Sequence, residues 1–122
     1  MDQVWNDREP IYRQLRARVI DALLDGELKE GDSIPSVRQT AAEFSVNPIT
    51  VTKAYEDLAS EGLVEKRRGL GLFVRPGARA HLLTVERRRL LDEEWPVFAA
   101  RLRRLGVALS DLPFPSSSKE KP

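Results

Sequence analysis

The four residues Ser45-Val46-Asn47-Pro48 constrain this chain more than any other stretch. They stop one helical pattern and start another with almost nothing between. Asn is a preferred helix N-cap, and Pro fits the first helical position, where a missing N–H costs nothing. Before the break lies "SVRQTAAEF" (36–44), with Ser36 and Gln39 spaced as a capping box. Its expected core contacts are Val37, Ala41 and Phe44, and Ala42 is small enough for a neighbouring helix to come close. After the break, Val51, Ala54, Tyr55 and Leu58 make one buried stripe on a helix running to about Ser60, which Gly62 ends. Two helices joined through so short a break form a helix-turn-helix.

The flanks extend this unit. "PIYRQLRARVIDALLDG" (10–26) predicts a first helix with Ile11, Leu15, Val19 and Ala22/Leu23 on its apolar stripe, Pro10 as its first residue and Gly26 as its stop. Residues 27–35 are expected as a loop. "LVEKRRGLGLFVR" (63–75) predicts a hairpin, with strands at 63–66 and 72–74 and a glycine-rich tip at 67–71. A helix-turn-helix with a basic-tipped hairpin is a winged helix. The expected class is therefore mainly α with a small β-hairpin. Residues 1–9 form an N-terminal extension, 10–75 the winged helix-turn-helix, and 76–79 a Pro/Gly hinge. Residues 80–112 form a helical arm and 113–122 a disordered tail. In the arm, Leu91, Trp95, Phe98, Leu102 and Leu105 step by 4, 3, 4 and 3, the spacing of a helix–helix seam. Pro96 falls inside it and predicts a kink or a break. A last short turn is expected at "SDL" (110–112).

Composition removes several function classes. The 122 residues suffice for one compact domain and an appendage. There are no cysteines, which excludes disulfides, thiolate metal sites and cysteine nucleophiles. No apolar run approaches the ~20 residues of a membrane span. The polar start "MDQVWNDREP" does not look like a signal peptide. A cytoplasmic protein is the expectation. Net charge is +1, and residues 1–77 hold 11 Lys/Arg against 13 Asp/Glu, so any nucleic-acid contact must use a local patch.

Such a patch is legible. The exposed start of the third helix offers Asn47, Ile49, Thr50, Thr52 and Lys53, which suits a helix laid in a major groove. Thr methyls and Ile49 match thymine methyls, and Lys53 reaches a guanine or a phosphate. Arg38 sits at a helix start, unfavourably placed against the helix dipole, which hints at another purpose. Lys66, Arg67 and Arg68 beside Gly69 make a basic wing tip suited to phosphates. The bland alternatives are a solvated helix face and ordinary edge-strand protection. "GLGLF" leads into a strand rather than a helix, so it is not a phosphate-binding loop. Arg87, Arg88 and Arg89 have Asp92, Glu93 and Glu94 within pairing distance along a helix and read as a solvated face. His81 is a lone histidine and a poor metal ligand. No nucleophile–base pair is legible, and neither a metal nor a cofactor is expected. The 91–105 seam has too little domain of its own to cover it, which favours dimerisation, and Trp5 is placed at the same interface.

"PIYRQL" and "IPSVRQTAAEFSVNPITVTKAYEDLASEGLVEKRRGLGLFV" together resemble the DNA-binding half of GntR-type bacterial transcription regulators over about residues 10–75. The short arm is similar to the YtrA subfamily. The resemblance implies a homodimer on double-stranded DNA, an operator with two-fold symmetry, and most often repression. It also implies DNA contact by Arg38, Thr50 and Lys53, with Gly69 entering the minor groove beside Arg68. Thr40 stands where an apolar residue is usual. Pro48 and Thr52 stand where other branches carry guanine-reading arginines. The expectation is a homodimeric repressor on an inverted-repeat operator. The alternatives are an activator of the same family, or a winged helix used only to bind proteins. A small-molecule effector stays open, with a dimer-interface cleft as the roomiest place for one.

Overall fold

The computed structural model describes residues 5–114. Two compact units divide at Thr84/Val85.

The first unit opens with α1 (Ile11–Asp25). Pro10 lies one place before the helix, not inside it as expected, with extended ψ. Gly26 ends the helix at φ 83°, a conformation that disfavours any residue with a Cβ. The buried residues of α1 are Leu15, Ile20 and Leu23. Val19 is only half-buried and Ile11 is exposed, so the expected stripe is rotated toward Ile20.

The second helix, α2 (Val37–Phe44), has the predicted capping box in full. Gln39 N–H donates to Ser36 Oγ at 3.0 Å, and Ser36 N–H donates to Gln39 Oε1 at 2.9 Å. The helix stops without glycine. Ser45 takes the left-handed conformation (φ 55°), and Val46 N–H donates to the Ala41 carbonyl at 3.0 Å. Ala42 is exposed, so no helix makes the close approach its size allows. The third helix, α3 (Pro48–Ser60), begins on Asn47, whose Oδ1 accepts from Ile49 N–H at 2.8 Å. Its buried face is Val51, Ala54, Tyr55 and Leu58, as the spacing predicts.

The hairpin consists of β1 (Val64–Arg67) and β2 (Gly71–Val74), antiparallel, with Val64 opposite Val74 and Arg67 opposite Gly71. Residues 31–34, expected as plain loop, line the free edge of β2. Ile34 N–H donates to Leu72 O at 3.0 Å, Val74 N–H donates to Asp32 O at 2.8 Å, and Ser33 bridges Phe73. Backbone groups of β2 that would otherwise be orphaned are thus paired.

One core joins these elements: Leu15 and Leu23 of α1, Ile34, Ala41, the α3 stripe, Leu63, Val64 and Val74. Ala78 and Leu82, from the first turns of α4 (Ala78–Arg89), belong to the same core. Arg79 also donates to the Leu23 and Leu24 carbonyls, with its shortest contact at 2.8 Å. It satisfies acceptors left over at the end of α1. Residues 76–79 are therefore anchored to the first unit through Ala78 and Arg79.

The second unit carries the end of α4, a π-helical stretch (Leu90–Glu94), α5 (Trp95–Leu105) and a 3-10 turn (Leu109–Asp111). The break expected at Pro96 takes the form of the π stretch just ahead of it, where Trp95 N–H donates to Leu90 O. Proline lacks an N–H and clashes with the preceding turn, and a widened turn relieves that clash. Arg89 pairs back to Glu86 at 3.0 Å rather than forward to Glu93. No residue of the π stretch or α5 is buried. Of the predicted tail, residues 115–122 lie outside the described residues. Among the described residues, no helix is long and apolar enough to cross a membrane.

Candidate nucleic-acid interface

The start of α3 is the centre of the site. Neither α2 nor α3 has an acidic residue in its first turn, so both helix starts keep their positive end uncompensated. Ile49 is 76% exposed, an apolar side chain standing clear of the core. Thr52 and Lys53 are exposed and Thr50 is half-buried. Asn47 is already committed through Oδ1 to capping, which leaves its amide N–H₂ for other contacts.

Two grooves connect α3 to its neighbours. A shallow one of about 670 Å³ runs along Val37, Arg38, Ala41, Ala42, Val46 and Pro48, and brings Arg38 to the start of α3. The other, about 610 Å³, lies between α2, α3 and the hairpin, and joins Thr52 to Lys66, Leu70 and Leu72. One predicted residue from each of three segments, Arg38, Thr52 and Lys66, thus lines one of these two grooves.

The wing is less uniform than its sequence. Arg67 does not project freely. Its guanidinium lies over the Phe73 ring at 4.3 Å and its NH2 is 3.4 Å from a Glu65 carboxylate oxygen. Glu65 also faces Arg75 at 3.7 Å. Arg67 thereby stiffens the hairpin, while Arg68, Gly69 and Leu70 form the exposed tip. Leu70 N–H closes the turn onto Arg67 O at 2.8 Å, and Gly69 supplies the positive φ of 74° inside that turn.

Three further residues, Thr40, Tyr55 and Tyr12, lie beneath the candidate site. Thr40, at a position where an apolar residue was expected, is buried, and its Oγ1 lies 2.7 Å from the Tyr55 hydroxyl. That hydroxyl donates to the Pro35 carbonyl at 2.9 Å. The pair ties α2 to α3 across the helix-turn-helix. Burial pushes the Tyr55 phenol above its ordinary value; the Thr40 hydrogen bond works against this and the charge of Glu43 adds to it. Tyr12, on α1, lies under the Lys53 ammonium, which is 4.6 Å from the ring centre. The sequence gives a weak sign of this: an aromatic residue set off the α1 stripe. Trp5 packs within the first unit. Its ring meets Phe44 edge-on at 6.0 Å, and Arg18 covers the same Phe44 at 5.4 Å. His81 is exposed, and no metal-binding cluster occurs among the described residues.

The family model for bacterial regulatory proteins of the gntR family matches residues 11–74, the span from α1 to the end of β2. The chain belongs to the GntR family. Its winged helix is a DNA-binding domain of transcription regulation, not an enzyme. An uncharacterized HTH-type transcriptional regulator, YhcF of Bacillus subtilis, is 31% identical over 92% of this chain and 91% of its own length. The HTH-type transcriptional repressor YtrA of the same organism is 40% identical over 74 residues, 61% of this chain and 57% of YtrA. Within the GntR family the chain is YtrA-like. A transcriptional regulator from Oenococcus oeni has a similar crystal structure, at TM-score 0.73 and 31% identity over 89% of each chain. The DNA-binding domain of AraR in complex with operator ORE1 is similar at TM-score 0.53 and 27% identity, over 61% of this chain and 92% of that one.

Proposed function

We propose that this GntR regulator is a homodimeric repressor that binds an inverted-repeat operator in the cytoplasm. Residues 10–75 would form the DNA-binding domain and residues 80–112 the dimerising arm. One observation carries the reading: the acid-free, exposed start of α3 lies between a groove holding Arg38 and a groove holding Lys66. In this reading α3 enters the major groove. Ile49, Thr50 and Thr52 meet base edges and thymine methyls there, and Lys53 meets a guanine or a phosphate. Asn47 hydrogen-bonds through its amide N–H₂. Arg38, Lys66 and Arg68 hold phosphates, and Gly69 brings bare backbone to the minor groove. Arg67 contributes by bracing the wing. Arginine-free α3 favours methyl contacts over guanine clamping. The YtrA relative is named as a repressor, which favours repression over activation.

Dimerisation is supported by the arm. Trp95 and Phe98 are adjacent, with ring centroids 6.1 Å apart, and stand 41% and 50% exposed. Leu91, Leu102 and Leu105 continue the seam, and Leu91 and Leu105 are exposed too. Apolar surface of this kind is covered in a stable protein, and a second copy supplies the same face in a two-fold pair.

Titration of labelled DNA with the full chain tests the reading. An operator-bearing fragment should shift well before random DNA of equal length, and its affinity should fall steeply with salt as counterions are released. Equal binding to both, or none to either, rejects it. The second result is the one a purely protein-binding winged helix predicts.

A further inference from the structure

The geometry points to Tyr12 as a positioning residue for Lys53. The Lys53 ammonium stands 4.6 Å from the centre of the Tyr12 ring. The ring itself is half-buried and packs on the core through α1, so it is a fixed platform rather than a second mobile side chain. No carboxylate pairs with Lys53 in the ion pairs among the described residues. Among the described residues, the Tyr12 ring face is the contact that steers this side chain.

The physical consequence concerns order. A lysine has a four-carbon stem, and fixing such a side chain costs rotamer freedom. A cation over an aromatic face is held by the ring quadrupole while keeping its full charge and its outward N–H donors. Lys53 is thereby ordered before DNA arrives, and the ordering cost falls on folding instead of on binding. Tyr12 touches no base in this scheme. It acts only through Lys53, and its hydroxyl has no part.

This rests on the proposed role of Lys53 at the operator, and the experiment separates the two. The full-length chain is titrated with its operator and with random DNA, as wild type, Lys53→Ala, Tyr12→Phe, Tyr12→Leu and Tyr12→Leu/Lys53→Ala. Lys53→Ala should lose specific binding. Tyr12→Phe keeps the ring and should bind as wild type. Tyr12→Leu should bind the operator about 2- to 5-fold more weakly, as expected for an exposed cation–ring contact, with random-DNA binding unchanged. The double variant should be no weaker than Lys53→Ala. Equal losses for Tyr12→Phe and Tyr12→Leu would place the hydroxyl on a phosphate and overturn the inference. So would tighter binding by Tyr12→Leu, which would mean that the ring parks the lysine away from DNA, or additive losses in the double variant. If Lys53→Ala loses nothing, the site assignment fails first. Folding of the variants does not limit the test. In the unbound wild type, the Lys53 ε-methylene protons should be shifted upfield by the ring, and their absence from that position overturns the contact directly.

Discussion

Helices α3 and α5 are of similar length, 13 and 11 residues, and each carries a clear apolar stripe. Their fates differ. Three of the four α3 stripe residues have no accessible surface, because α1, α2 and the hairpin close over them. The α5 stripe has no such cover, and none of its residues is buried. The first unit buries its own apolar stripe, and in the proposed reading its exposed features serve DNA. The second unit has an apolar seam in excess of what its own chain can bury. Similar apolar periodicity thus gives core in one helix and, in the proposed reading, an interface in the other, and only the supply of neighbours tells them apart.

The largest expected effect breaks the α5 half of this contrast. Trp95→Ala with Phe98→Ala should weaken self-association by roughly 4 kcal/mol or more, as removal of two central aromatics does in other interfaces. Sedimentation would then show monomers, while the thermal unfolding of the first unit stays in place. A variant that remains dimeric removes the assigned seam. The matching change in α3, Leu58→Ala, empties fully buried volume and should cost about 3 kcal/mol in denaturant unfolding. A loss under 1 kcal/mol would show that the first unit is not closed as described. On the outer face of α3, Lys53→Ala should cost about 2 kcal/mol of operator binding and leave unfolding unchanged. A fall in stability equal to the fall in binding would make Lys53 a structural residue.

The smallest effect lies between the two helices of the helix-turn-helix. Tyr55→Phe should cost about 1 kcal/mol, because its hydroxyl serves both Thr40 and Pro35. Its pH dependence sharpens the case. The folded phenol titrates above its ordinary value of 10.0, so the neutral form is favoured in the fold. The stability it contributes is fully present below pH 10.0 and is lost as pH rises through the raised folded value. Denaturation curves for wild type should fall over that window more steeply than those for Tyr55→Phe. Parallel curves would show that the phenol is not held neutral by the fold.

Much of the fold was legible because local rules agree with one another. The Ser36/Gln39 box, the Asn47-Pro48 start and the α3 stripe all appear where spacing places them. The contacts that the sequence did not show are of one kind. Trp5 packs on Phe44, residues 31–34 pair with β2, Arg67 lies on Phe73 and Thr40 meets Tyr55. Each is a contact between positions that no periodicity links. A run such as Lys66-Arg67-Arg68 looks uniform in sequence. Strand alternation and the Phe73 ring divide it into one bracing residue and two free ones. The π stretch before Pro96 was legible as a break but not in its form, since proline forbids one hydrogen bond without choosing its replacement.

The central claim is that a two-fold pair of these chains reads DNA sequence through α3. Selection of bound fragments from a random double-stranded DNA pool, with the purified full-length protein at moderate salt, tests it most directly. The account predicts enrichment of an inverted repeat with half-sites about one helical turn apart. Enrichment of no sequence would contradict DNA reading altogether, and enrichment of a lone, unrepeated half-site would contradict the paired arm.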